Sequence, residues 1–125
     1  MSTGDKLGRD RMEIRQGDIF WISPNKANRI ASDHTHPHVI VQGNTSNTVV
    51  VCALTSNLTR AKEPGNVLLD EGEANLPKQS VVIVSQVSTV DKTQLGEYIG
   101  TLAEQRINQV LAGMRFLQFM TQHHE

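Results

Sequence analysis

Three imidazoles alternate within Asp33-His34-Thr35-His36-Pro37-His38, and no other stretch of the chain carries as much reactive chemistry in so few residues. Alternate residues of an extended backbone share a face, so His34, His36 and His38 can gather on one side of a strand. Pro37 fixes its own φ and steers His36 away from helix, which favours an extended run into Val39-Ile40-Val41. Three readings fit the cluster. The rings, with Asp33, could ligate a metal, although zinc would want a further ligand and an outer shell that the sequence does not identify. They could move protons, since a histidine titrates at about pH 6.5 and exchanges protons with a substrate at neutral pH. Or they are polar loop residues facing water.

The remaining chemistry is found by elimination. The chain has no Gly-rich phosphate loop, no nucleophile elbow and no paired-cysteine motif. Hydroxyl and amide groups stand where apolar runs end: Thr55 and Ser56 after Val49 to Leu54, and Ser85 and Gln86 after Val81 to Val84. Cys52, inside the first of these runs, reads as a small buried hydrophobe. A single cysteine rules out an internal disulfide and suits a reducing cytoplasm.

The elements that must position these groups are short strands. Gly17-Asp18 leads into Ile19-Phe20-Trp21-Ile22, an aromatic and β-branched run that Ser23-Pro24-Asn25 stops. From Lys26 to Thr35 no hydrophobic period appears, so a loop of about ten residues precedes the histidines. His38 to Gln42 is the second strand and Thr48 to Leu54 a central one, with a turn cluster between them. Asn66 to Leu69, Val81 to Val90 and Tyr98 to Thr101 complete the strands. Thr101-Leu102-Ala103-Glu104 fits a capping box. After it Ile107, Val110, Leu111, Met114 and Leu117 recur at helical spacing, which predicts one helix over roughly 103–120. The expected fold is mainly β: a small, strongly bent sheet or barrel closed by a C-terminal helix.

Length and composition set outer bounds. The 125 residues suit one domain, expected at 13–121 behind a polar leader at 1–12. At 38% hydrophobic and 20% charged, the chain has the composition of an ordinary globular protein. The formal net charge of -1 gives no global positive field, so any nucleic-acid binding requires a local patch. No signal peptide is visible, and no stretch approaches the roughly 18 apolar residues of a membrane span.

Five segments, in order, resemble the MazF/PemK (Kid) toxins of toxin–antitoxin pairs. They are Arg15-Gln16-Gly17-Asp18-Ile19, Pro37-His38-Val39-Ile40-Val41, Val49 through Thr55-Ser56, Leu76-Pro77-Lys78-Gln79-Ser80-Val81-Val82, and Ser85-Gln86-Val87-Ser88-Thr89-Val90-Asp91-Lys92. The terminal helix also fits. The resemblance implies an SH3-like barrel of the MazF/PemK/CcdB-like kind and a cytoplasmic homodimer that binds a cognate antitoxin peptide. It further implies contact with operator DNA only through the antitoxin, and no membrane, metal or other cofactor.

The implied activity is that of an mRNA interferase, cutting single-stranded RNA at short sequences. A ribose 2′-oxygen attacks the adjacent phosphate and leaves a 2′,3′-cyclic phosphate and a 5′-hydroxyl. Residue by residue, the resemblance assigns catalysis to His36, Thr55 and His34, and RNA contacts to Asp33, Ser56, Ser85 and Gln86. The chain departs from the pattern at several of these places. His36 stands where the family usually has arginine before the proline, and Ser88 where it has arginine after the glutamine. Ser85 replaces a frequent acid, and Ala31 falls near a usual glutamate. A fixed bidentate cation thus becomes a titratable ring. His36 and His34 then act as an acid–base pair, or the scaffold has lost its nuclease and only binds antitoxin or nucleic acid; a small His-based metal protein is the third reading.

Overall fold

The computed structural model describes residues 13–23, 35–43 and 46–122, which form one sheet and one long helix. The expected leader at 1–12, most of the loop before the histidines, Asp33 and His34 lie outside the described residues. The strands are β1 (Asp18–Ile22), β2 (His36–Gln42), β3 (Thr48–Thr55), β4 (Val67–Leu68), β5 (Val81–Asp91) and β6 (Leu95–Thr101), followed by helix α1 (Glu104–Gln122). All pairings are antiparallel, in the order β4-β5-β3-β2-β1-β6. This is the mainly β, helix-closed fold expected from the sequence.

Strand alternation explains how so small a sheet buries both faces. Ile19, Val39, Val41, Cys52 and Leu54 point to one side, where Ile107 and Val110 of α1 cover them. Phe20, Ile22, Ile40, Val49 and Val51 form a second cluster on the other side. Among the described residues, no helix residue belongs to this second cluster, so the sheet curls over it, and β-bulges supply the curl. Between the paired positions Cys52↔Val87 and Leu54↔Val82, Ala53 alone faces Ile83, Val84, Ser85 and Gln86. β5 therefore turns a corner there: Val81 to Val84 are buried, and Ser85 to Thr89 are exposed.

The corner's freed backbone groups find side-chain partners, as buried polar groups must. The Cys52 thiol donates to the Ile83 carbonyl at 3.0 Å, and the Val84 N–H donates to Asn66 Oδ1 at 3.0 Å. Burial pushes the Cys52 thiol up to about 12, so it packs as a small hydrophobe, as its setting in the sequence indicates.

The two sheet edges, β4 and β6, are bridged by the short 3₁₀ turn Glu73–Asn75. Ala74 and Asn75 sit there at φ 54° and 62°, a region L-residues seldom adopt. Gly100 allows it, because a Cβ at that position would collide with the Ala74 carbonyl oxygen. Asn75 Nδ2 donates to the Ile99 carbonyl, and Arg106 of α1 grips Glu73 through Nε at 2.9 Å and Nη2 at 3.1 Å. Burial works against the Glu73 carboxylate, yet this guanidinium still holds its pKa below the usual carboxylate range.

Two details differ from the sequence reading. The helix begins at Glu104, and Thr101 belongs to β6 instead of capping it. Its hydroxyl donates to buried Asp18 at 2.8 Å, so a tertiary partner wins over the local cap. β6 also starts earlier than expected, at Leu95, where it pairs with Ile22 of β1.

Candidate active site

Two clefts of about 220 Å³ each meet at the start of β2 and share His36 and Leu54. The first is lined further by His38, Thr55, Arg60 and Gln86, where β2 and β3 adjoin the β5 corner. The second runs the other way past Trp21, Pro37, Ser56, Lys78 and Ser80. Among the described residues, no acidic side chain lines either cleft. Arg60, which is ion-paired with Glu63, lines the first cleft and Lys78 the second, so each cleft of this chain of net charge -1 carries one basic side chain.

Each group is held by identifiable chemistry. His36 is exposed at the end of β2, where its backbone pairs with Ile22. His38 is half-buried, its Nδ1 3.0 Å from the His36 carbonyl, which makes Nδ1–H the donor and leaves Nε2 with the lone pair. Thr55 Oγ1 accepts from the Asn57 N–H at 3.1 Å, leaving its own proton to donate elsewhere. Asn57 in turn caps the 3₁₀ turn Leu58–Lys62 by accepting from Thr59 N–H, and this turn brings Arg60 over the cleft. Gln86 reaches the cleft because the corner in β5 turns it there.

Of the residues singled out from sequence, His36, Thr55 and Gln86 come together in the first cleft, and Ser56 lies in the second. Ser85 is exposed on β5 and lines neither. Asp33 and His34 fall outside the described residues. Sequence reasoning missed Arg60, Lys78 and Trp21 as lining residues and gave His38 a place only among the metal-ligand candidates. For Arg60 a signal existed: Asn57 as a cap residue directly after Thr55-Ser56 announces a turn that brings the next basic side chain back to the strand exit. Among the described residues, no group of three or more His, Cys, Asp or Glu side chains is placed to hold a metal ion.

Desolvation by burial lowers the His38 pKa below 6.5, more than its backbone hydrogen bond to His36 raises it. Between its native value and 6.5 the unfolded chain therefore binds more protons at His38 than the native chain does. Stability from this group is full above that window and is lost as pH falls through it. In urea titrations from about pH 8 to about pH 5, His38→Gln should flatten that part of the decline. An unchanged slope would assign the decline to other groups.

The fold and the clefts together define a small, mainly β protein with an open groove lined by imidazole, hydroxyl, amide and basic side chains. Residues 15–117 match the family described as PemK-like, MazF-like toxins of type II toxin-antitoxin systems, and the chain belongs to that family. It is 30% identical over 101 residues to the endoribonuclease MazF of Staphylococcus saprophyticus, covering 78% of this chain and 84% of that protein. Among solved structures, a mycobacterial endoribonuclease in complex with its cognate antitoxin superposes with a TM-score of 0.64 at 20% identity, over 81% of this chain and 90% of that one. The Mycobacterium tuberculosis toxin MazF-mt6 gives a TM-score of 0.63 at 19% identity, over 78% and 91% of the two chains. At these identities the structural matches bear on the fold.

Proposed function

We propose that this protein is a toxin that cleaves single-stranded RNA at short sequences, by attack of a ribose 2′-oxygen on the adjacent phosphate. The observation that carries the reading is the pair of clefts meeting at His36, lined by Thr55, Gln86, Arg60 and Lys78, in a chain that belongs to a toxin family with endoribonuclease relatives. Ligand pockets for small molecules usually run about 300–1,000 Å³ and enclose their guest. Two smaller, open clefts that meet at His36 suit an extended polyanion, whose phosphates the Arg60 and Lys78 side chains can contact.

In the reaction the P–O2′ bond forms and the P–O5′ bond breaks. The 2′-hydroxyl gives up its proton and the departing 5′-oxygen takes one. His36 exchanges protons with the reacting oxygens. His38, kept neutral by burial with its lone pair on Nε2, is a second imidazole in the same cleft able to accept one. Thr55 donates its hydroxyl proton to a phosphate oxygen, and the Gln86 and Ser56 side chains contact the flanking nucleotides. His34 and Asp33, adjacent in sequence, remain assigned to catalysis and RNA contact on the resemblance alone.

The partners follow from the same reading. One relative is described in complex with its cognate antitoxin, which supports an antitoxin peptide as the inhibitor here. Phe116, Phe119 and Met120, exposed at helical spacing on α1, offer an apolar face for a second copy in a homodimer. Operator DNA is reached only through the antitoxin, and an mRNA substrate places the toxin in the cytoplasm.

The test is incubation of purified protein with a long unstructured RNA in the presence of EDTA. The expected products are fragments with 2′,3′-cyclic phosphate and 5′-hydroxyl ends. RNA left intact by an excess of folded protein removes the nuclease reading and leaves antitoxin or nucleic-acid binding. Cleavage that EDTA abolishes removes the metal-independent mechanism.

A further inference from the structure

We infer that Arg60, on the turn after β3, is the group that binds and stabilises the charge of the reacting phosphate in the His36 cleft. The inference rests on the RNA-cleaving reading and adds to it the cation that its chemistry requires. As the 2′-oxygen attacks, negative charge builds on the phosphoryl oxygens, and a preorganised donor aimed at that charge is the usual means of lowering the barrier. One hydroxyl from Thr55 and a neutral imidazole supply hydrogen bonds but no fixed charge. Of the residues lining this cleft, Arg60 is the permanent cation.

The guanidinium is held in place rather than loosely tethered. Asn57 caps its turn, and Asn66 Nδ2 donates to the Arg60 carbonyl at 2.9 Å while Asn66 Oδ1 accepts from Val84 at the β5 corner. One amide therefore ties the Arg60 turn to the strand that delivers Gln86. Glu63 pairs with Arg60 through Nε, and Asn66 Nδ2 donates to that carboxylate as well. With Nε committed to Glu63, the two terminal nitrogens form the fork that matches two phosphate oxygens. Glu63 thus orients the guanidinium without filling the cleft, whose lining excludes it.

The experiment compares wild type with Arg60→Gln, Arg60→Lys and Glu63→Gln in two assays. One is single-turnover cleavage of the unstructured RNA. The other is the salt dependence of binding to a 2′-O-methyl oligonucleotide, which has no free 2′-hydroxyl to react. Arg60→Gln is expected to slow cleavage about 100-fold. It should also flatten the plot of log affinity against log salt by about 0.7, the loss of one phosphate contact to a single strand. Glu63→Gln keeps the cation and, in its amide oxygen, an acceptor for Arg60 Nε, so it should stay within about threefold of wild type in rate, with the full salt slope.

A purely structural ion pair would make the two glutamine variants equally defective, and that result overturns the inference, as does Arg60→Gln cleaving at the wild-type rate. If Arg60→Gln fails to fold, Arg60→Lys decides: it keeps the charge but loses the fork, so a reduced rate with an unchanged salt slope is expected, and a wild-type rate is fatal. A wild type that binds but does not cleave ends the nuclease reading, while the slope still reports on Arg60. A wild type that neither cleaves nor binds ends both.

Discussion

Replacing His36 with alanine should lower the single-turnover rate of RNA cleavage by about 100- to 10,000-fold, the range that a positioned acid or base contributes. The expected effect is large because the two clefts share His36, so on the proposed reading its ring would lie beside a phosphate whichever cleft the flanking nucleotides follow. His36 is exposed at the start of β2, so truncation should leave the melting temperature close to that of wild type. That separation between activity and stability is the signature to look for. Binding of the 2′-O-methyl oligonucleotide should weaken far less than the rate falls, because proton transfer is made in the transition state and not in the ground state. If His36→Ala cleaves as fast as wild type, the proton chemistry belongs to His38 or to residues on the preceding loop. Fragments identical in pattern and rate from both proteins would also be the mark of a contaminating nuclease.

The second large effect is on stability. Gly113 lies in the middle of α1, where glycine is a poor helix former, and it is buried. Its reason is contact: a Cβ there would collide with the Gly65 carbonyl oxygen and come within 3.2 Å of Val84 Cγ1. Gly65 itself sits at φ +84°, just after the turn that bears Arg60 and Glu63. The two glycines let helix and loop backbones touch, and that contact fixes the far side of the Arg60 turn. Gly113→Val should therefore destabilise the protein by about 1–3 kcal/mol through overpacking, although valine is the better helix residue. Ala112→Val, one position along on the exposed face, is the control and should cost about 0.5 kcal/mol or less from propensity alone. Thermal melts followed by circular dichroism distinguish the two. Equal losses would mean that the loop simply moves aside.

These cases show what the sequence carries and what it leaves out. The strands are readable because β-branched and aromatic residues cluster in Ile19-Phe20-Trp21-Ile22 and Val49 to Leu54, and the helix because Ile107, Val110 and Leu111 recur at its period. His36 and Thr55 are readable as partners through the resemblance and their places at strand ends. For Arg60 the sequence offers only the cap residue Asn57; what fixes its turn against the cleft is Asn66 reaching a corner in another strand. The corner has no local signature: Val81 to Val90 reads as one strand, and only pairing with β3 shows that it bends. Thr101 fails as a cap for the same kind of reason, since Asp18, 83 residues away, takes its hydroxyl.

That last contact has a kinetic side. β1 pairs with β2 on one edge, but its other edge is completed only by β6, with Asp18 opposite Thr101. Closing so long a loop is entropically slow, and folds dominated by such pairings take milliseconds to seconds where helical bundles take microseconds. On the ribosome, which adds about 5–20 residues per second, β1 to β3 emerge seconds before β6 exists to cover them. During that interval β1 presents an unpaired edge to its surroundings. The strands that form the cleft, β2, β3 and β5, all precede β6 in the chain. The hazard in making this protein therefore falls before the sheet closes, in a chain that already holds the groups of its cleft.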